Sequence, residues 1–223
     1  LDAVLRLAWA SDYREGRDRT RIQRMSQHCG LLAEKSGMSA EEVKTIYYAS
    51  PLHDIGKICV PDHIISKEGK LTNEEWKRMC NHTLFGGNIL NGTCSTVLQT
   101  AKEIAVSHQE KWNGDGYPQG LRGDDIPLPA RICAIADVFE AFTSERPYRR
   151  AYSEEQAIRL MQAGRGTHFD PDILDLFMAN IGDFKCIRSG NDVFPSPAGI
   201  TLETHTNHCE FKAVARNFAA STA

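Results

Sequence analysis

The chain has 223 residues, of which 41% are hydrophobic and 25% are charged, values typical of a soluble globular protein with one full core. Its formal net charge of −3 provides no basic field for holding long nucleic acid, although local Arg and Lys side chains can still bind a small anion. No apolar run approaches the ~20 residues of a membrane span, and the start of the chain lacks a signal-peptide pattern.

Seven cysteines are widely spaced and form no CxxC motif. We therefore expect reduced, mostly buried thiols and a cytoplasmic protein. The chain begins within a stretch of regularly spaced apolar residues, which indicates a segment of a longer protein.

Helical periodicity dominates the sequence and predicts an all-α fold, since apolar residues repeat every three or four positions in successive segments. Ser-x-x-Glu and Thr-x-x-Glu capping boxes mark the starts of two of these helices. The predicted helices cover residues 22–33, 39–52, 72–79, 97–108, 131–142, 153–161 and 171–177.

The helical pattern fades after about residue 180. We therefore predict a helical domain over residues 1–180 and a C-terminal extension, 181–223, to which the sequence assigns no role. A turn-rich loop rich in Gly, Asn and Pro interrupts the helices between about residues 113 and 129.

The strongest local signal is the segment His53-Asp54-Ile55-Gly56-Lys57. On a helix, adjacent His53 and Asp54 side chains project about 100° apart and can approach one metal from two sides. Asp54 has two oxygens and can bridge two metals. Lys57 shares the helix face of His53 and can place a positive charge over a phosphate or position a water. Taken alone, this segment is equally typical of a capped helix end with a surface His-Asp pair.

Three further residues are candidate ligands: His82, His108 and Asp137. Asp137 lies in an otherwise apolar helix, where a charge is unfavourable unless it is paired or binds metal. A lone His82 or His108 is more often an ordinary core or surface histidine. His and Asp ligands suit iron, manganese, zinc or nickel rather than calcium. Together the ligands predict metal-assisted hydrolysis of a phosphoester.

Two other segments are candidates for substrate binding. Arg146 and Arg149 place two guanidinium groups, which match phosphate oxygens well, just after the Asp137 helix. The loop from Trp112 to Pro118, which includes Tyr117, offers aromatic faces on which a base can stack. The alternative for the two arginines is a solvated charged turn, and the alternative for the aromatic loop is a purely structural turn.

Several of these segments together resemble the HD-GYP family. The segments are HDIGK at 53–57, HQEKWNGDGYPQGL at 108–121, RICAIADVFEAFTSERPYR at 131–149 and HFDPDILDLF at 168–177. The resemblance implies an all-helical HD-domain bundle that hydrolyses cyclic di-GMP to pGpG or GMP at a binuclear or trinuclear metal site. It also implies that some relatives act on cyclic GMP-AMP.

The resemblance assigns roles to individual residues. Lys57 and Asp54 are expected to be catalytic, and Arg146, Arg149, Tyr117 and Trp112 to bind a cyclic dinucleotide. The expected cofactors are one or two divalent transition metals, with iron or manganese favoured over zinc or nickel. An upstream receiver or sensor domain and a diguanylate cyclase-type protein are the implied partners. The residues that match the family's metal ligands are His53, Asp54, His82, His108 and Asp137.

Three residues depart from the family's pattern at the metal site. Arg17 and Arg21 stand where the family has an acidic residue and a His ligand, and Gln109 replaces a second His. One metal would keep His53, Asp54 and Asp137, and the other Asp54, His82 and His108. Since Arg21 brings a fixed cation to the first set, we expect weakened metal binding and reduced activity.

Two functions compete with the phosphodiesterase. One is a degenerate HD-GYP domain that acts as a cyclic di-GMP receptor or protein-interaction module without turnover. The other is a different phosphohydrolase of the wider HD superfamily. All three would share the helical architecture, so the fold alone does not distinguish them.

Overall fold

The computed structural model describes residues 2–14, 19–145 and 150–190. Within these ranges the protein is all-α, as predicted, with no β-strand and one isolated bridge between Arg165 and Phe169. None of the described helices combines the length and the apolar character needed to cross a membrane. The helices are α1 (Asp2–Tyr13), α2 (Arg19–Lys35), α3 (Ala40–Ala49), α4 (Asp62–Ile65), α5 (Asn73–Cys80), α6 (His82–Ile89), α7 (Thr96–Ser107), α8 (Leu128–Thr143), α9 (Glu154–Ala163), α10 (Pro171–Ala179) and α11 (Ile181–Arg188).

Helix starts follow the predicted capping signals. Ser39 and Thr72 accept hydrogen bonds from the backbone N–H groups three residues later, and the Glu side chains there accept bonds from the capping residues' own N–H groups. Ser153 and Gln156 form a third box at the start of α9. These bonds satisfy N–H groups that the first helical turn leaves without partners.

The core lies between α2, α3, α7 and α8. Helix α2 contributes Met25 and Leu32, α8 contributes Phe139, and all three side chains are fully buried. Helix α11 packs against α2 and buries Phe184 and Ile187 in the same core. The packed helices therefore continue to residue 188.

His28 is part of this core. Its ring lies 5.7 Å from that of Phe139 and 5.2 Å from that of Phe184, measured between centroids. Burial lowers the pKa of His28 to about 4, although the nearby Glu140 charge opposes the shift. His28 is therefore a neutral residue of the core, packed between two phenylalanine rings.

The expectation that most cysteines are buried is wrong for the described part of the chain. Cys29 and Cys133 are buried, whereas Cys59, Cys94 and Cys186 are exposed. None of the described cysteines forms a disulfide.

The His-Asp segment does not lie on a helix, contrary to the prediction. Helix α3 ends at Ala49 and is followed by two 3₁₀ turns, Ser50–Leu52 and Ile55–Cys59, with His53 and Asp54 between them. Pro51 explains the early end, because proline lacks the N–H that would continue the helical ladder and its ring clashes with the preceding turn.

Gly56 brings the second 3₁₀ turn against the start of α6. A Cβ at this position would lie 1.9 Å from the backbone oxygen of His82 and 2.3 Å from the nitrogen of Gly86. Only glycine fits this close approach. Because Asp54 and His82 flank the contact, Gly56 sets the distance between them.

We predict that Gly56→Ala lowers the free energy of unfolding by about 1–3 kcal/mol, since the added methyl group must push two backbone segments apart. Urea denaturation measures the change. Gly182→Ala is the matched control, because a Cβ in that helix meets no atom within 4 Å. Equal stability of the two variants would contradict the close contact.

Candidate metal centre

Three side chains from separate elements converge in the interior. Asp54 lies between the 3₁₀ turns, His82 is the first residue of α6, and His108 caps the C-terminus of α7. The Oδ1 atom of Asp54 is 3.4 Å from Nε2 of His82 and 3.6 Å from Nε2 of His108, and the two Nε2 atoms are 3.5 Å apart. Atoms bound to one metal at about 2.1 Å lie roughly 3.0–3.5 Å apart. The separations therefore fit a shared metal ion.

Backbone hydrogen bonds fix the orientation of both imidazole rings. Nδ1 of His82 lies 2.8 Å from the carbonyl oxygen of Met79, and Nδ1 of His108 lies 3.1 Å from that of Ile104. A carbonyl oxygen only accepts, so each Nδ1 carries the proton and donates it. In the neutral ring the lone pair is then on Nε2, which points into the cluster, as in most histidine metal sites.

Charges in the cluster also suit metal binding. Burial lowers the pKa of His82 to about 4, so the ring is neutral near pH 7. Burial alone would raise the pKa of Asp54, but the charges of Lys57 and His53 outweigh it and hold that pKa well below its usual range. Two imidazole nitrogens and one carboxylate are a donor set that binds divalent transition metals.

Lys57 pairs with Asp54, a partner that the sequence did not predict. Its Nζ is 2.7 Å from Oδ2 of Asp54, and its side chain is 14% exposed. The 3₁₀ turn explains this pairing, because three residues per turn place residues three apart on the same face. The ammonium group is therefore held at the edge of the cluster.

The other predicted ligand set surrounds Arg21. Nη1 of Arg21 donates to Oδ2 of Asp12 at 2.7 Å, and Nη2 donates to Oδ1 of Asp137 at 2.7 Å and lies 3.5 Å from Nε2 of His53. The structure thus brings His53 and Asp137 together, as predicted, but with a guanidinium beside both. Their role as metal ligands stays a prediction.

The sequence interpretation missed Asp12. Its side chain is buried on α1, and it shares a helix face with the core residues Leu5 and Ala8. A carboxylate at that spacing within an apolar stretch is the signal that could have identified it, because a buried charge requires a partner.

The loop after His108 is held by Glu110. Its two carboxylate oxygens accept bonds from the backbone N–H groups of Gln119, at 2.8 Å, and Leu121, at 3.1 Å. A Cβ at Gly116 would lie 2.4 Å from Cα of Glu110, so the loop passes too close for a side chain. Tyr117, which follows, is therefore fixed in position.

Aromatic rings line one edge of the cluster. The ring centroid of Tyr117 lies 6.3 Å from that of His82 and 6.0 Å from that of Trp76. Trp76 is 52% exposed and was not singled out from the sequence. Its place directly after the capping-box Glu75, on a helix without a fully buried residue, gave no functional signal. Trp112 instead lies 5.7 Å beneath the guanidinium of Arg131.

Some sequence-predicted residues lie outside the described ranges. Arg17, Arg146 and Arg149 are among them, so their roles remain predictions. Gln109 is half-buried, and its backbone oxygen accepts a bond from the N–H of Tyr117 at 3.2 Å.

Comparison with protein families identifies the chain. The model of the HD domain family matches residues 10–173 and so spans the whole cluster. The chain belongs to the HD domain family. This HD domain also resembles curated phosphodiesterases along most of its length, which confirms the HD-GYP resemblance.

Two of these relatives are bacterial signalling proteins. The 3′3′-cGAMP-specific phosphodiesterase 2 of Vibrio cholerae is 42% identical over 188 residues, which are 84% of this chain and 36% of that protein. The cyclic di-GMP phosphodiesterase response regulator RpfG of Xanthomonas campestris pv. campestris is 44% identical over 177 residues, which are 79% of this chain and 47% of that protein. The HD domain thus spans less than half of the length of either relative.

A solved structure supports the fold. The crystal structure of the cyclic GMP-AMP specific phosphodiesterase V-cGAP3 of Vibrio cholerae superposes with a TM-score of 0.63 and 18% identity, covering 91% of this chain and 55% of that chain. At this identity the similarity concerns the fold alone, and it agrees with an HD-domain helical bundle.

We predict that His82→Ala removes metal from the protein, because the two remaining ligands are too few for a stable site. Metal analysis after reconstitution with Mn²⁺ and desalting measures the loss. His63→Ala is the control, since His63 is exposed on α4. If His82→Ala retained as much metal as the control variant, the metal would bind elsewhere in the protein.

Proposed function

We propose that this HD domain hydrolyses the phosphodiester bonds of cyclic di-GMP to pGpG and GMP in bacterial second-messenger signalling. The buried Asp54, His82 and His108 cluster beside the Lys57 ammonium is the observation that carries the proposal. The names of the two relatives support a cyclic dinucleotide as the substrate and do not favour the receptor alternative.

The donor set supports one divalent transition metal as cofactor, with iron or manganese expected. When bound, such a metal supplies Lewis-acid activation of water and of the phosphate. Asp54 stays ionised and directs Oδ1 toward both imidazoles, while its Oδ2 accepts a hydrogen bond from Lys57. One carboxylate therefore completes the donor set with one oxygen and positions the catalytic ammonium with the other.

Lys57 is the residue we assign to transition-state stabilisation. Hydrolysis places increasing negative charge on the phosphate oxygens and the leaving oxygen. An ammonium held in place beside the reacting group stabilises that charge without having to reorganise. The 2.7 Å contact with Asp54 limits the motion of Nζ, so its charge is already in position.

The aromatic edge formed by Trp76 and Tyr117 is the surface on which we place a guanine base. Trp76 is exposed, and Tyr117 lies between it and His82. A base stacked there keeps the adjacent phosphate near the metal ligands. Arg146 and Arg149 remain our proposed contacts for the phosphates, and Trp112 a further proposed contact for a base.

The parts of the signalling protein outside this chain are also proposals. The response-regulator name of the Xanthomonas relative supports an upstream receiver or sensor domain. We further propose a cytoplasmic location and a diguanylate cyclase-type protein partner, as the family resemblance implies.

We predict that Lys57→Met lowers kcat for cyclic di-GMP on the order of 100-fold, the usual effect of removing one preorganised electrostatic group, while leaving metal content unchanged. Chromatographic detection of pGpG and GMP gives the rate. Lys77→Met is the control, because Lys77 pairs with Glu74 at the surface. Tight binding of cyclic di-GMP by the metal-loaded parent, with no product formed, would instead favour the receptor function. Turnover of 3′,3′-cGAMP but not of cyclic di-GMP would identify 3′,3′-cGAMP as the substrate.

We predict that Trp76→Ala weakens the binding of cyclic di-GMP by about 1–3 kcal/mol, the worth of one stacked base. The Asp54→Ala background prevents turnover, and calorimetry measures the affinity. Trp76→Phe should recover much of the loss because it retains an aromatic face. A Trp76→Ala variant with parental affinity would place the bases elsewhere.

A further inference from the structure

Two ion pairs of the same kind connect α2 to α8. Arg21 donates to Asp137 at 2.7 Å, and, three residues later on both helices, Arg24 donates through Nε to Glu140 at 3.0 Å. Glu140 is fully buried, and Arg24 binds it with a fork of bonds. The two pairs differ in their surroundings, because only Arg21 also faces residues of the metal centre.

The guanidinium of Arg21 contacts three separate elements. It binds Asp12 of α1 and Asp137 of α8, and it lies 3.5 Å from Nε2 of His53. Arg21 is 6% exposed and Asp12 is 2% exposed. Two carboxylates and one imidazole are the donor types that would surround a divalent metal, yet here they surround a side-chain cation.

A metal and this guanidinium compete for the same space. Oδ1 of Asp137 and Nε2 of His53 are 3.5 Å apart, a separation that one metal can bridge. A metal about 2.1 Å from both atoms would lie within about 4 Å of Nη2 of Arg21, where two cations repel each other strongly. The guanidinium is protonated at every usable pH, so it cannot become a ligand.

We propose that Arg21 takes the place of one metal, so that this centre binds a single divalent metal at Asp54, His82 and His108. The guanidinium balances the charges of Asp12 and Asp137, which a second metal balances in a binuclear site. The proposal uses the metal site of the proposed function but does not depend on the reaction catalysed there.

Metal stoichiometry tests the proposal directly. The parent and three variants are stripped with EDTA, reconstituted with excess Mn²⁺, desalted and analysed for metal per chain. We expect about one Mn²⁺ in the parent, about two in Arg21→His, and about one in Arg21→Lys, since lysine keeps the cation. Arg24→Gln is the matched control, because it breaks the neighbouring α2–α8 pair without touching the metal centre, and it should stay at one.

Thermal unfolding provides a second readout that does not depend on activity. Arg21→His and Arg24→Gln should both lower Tm in EDTA, because each leaves a buried carboxylate without its cation. Addition of Mn²⁺ should raise the Tm of Arg21→His by more than that of the parent, whereas Arg24→Gln should show only the parental increase.

The proposal is overturned by two Mn²⁺ per chain in the parent, or by no gain of metal in a folded Arg21→His variant. Should Arg21→His fail to fold, the metal counts of the parent and of Arg21→Lys still test the proposal. A second metal in either protein is incompatible with a side-chain cation taking the place of that metal. A parent that binds one metal but makes no product contradicts the proposed function alone. A parent without metal also contradicts that function, and it overturns the single-metal centre.

Discussion

Buried negative charge is the constraint on which the rest of this structure depends. Asp12, Asp54 and Glu140 are almost inaccessible to solvent, and the side chain of Asp137 is only 17% exposed. A carboxylate moved out of water without a counter-charge loses several kcal/mol of solvation free energy. Each of these groups therefore faces a cation or a metal-ligand set, and the positions of α1, α2 and α8 follow from that pairing.

The cations come from different elements and have different consequences. Lys57 lies three residues after Asp54, in the 3₁₀ turn that Asp54 precedes, so a local contact neutralises one oxygen of Asp54. Arg21 and Arg24 reach across from α2 to carboxylates on α8, so long-range contacts neutralise the others. Asp54 keeps its second oxygen directed at two imidazoles. Charge balance thus separates the cluster of Asp54, His82 and His108 from the neighbouring part of the centre that Arg21 occupies.

The geometry of the candidate site depends on how closely the backbone segments approach each other. Gly56 lets the turn that carries Asp54 contact α6 at His82, and Gly116 lets the following loop pass against Glu110. Both contacts exclude a side chain, and both fix groups at the edge of the cluster. The same packing that stabilises the fold therefore sets the ligand distances and the position of the aromatic surface formed by Trp76 and Tyr117.

The sequence by itself determined the helical class and the capped helix starts, because periodicity and capping are local. It also predicted candidate metal ligands, because the motif residues carry distinct chemistry. It also identified Arg21 as a cation at a ligand position. It did not predict the 3₁₀ turns around His53, the pairing of Lys57 with Asp54, or the roles of Asp12 and Trp76. Only the tertiary structure decided these features. The partner of a buried charge, and the face that an aromatic ring exposes, depend on how helices that are distant in sequence pack against each other.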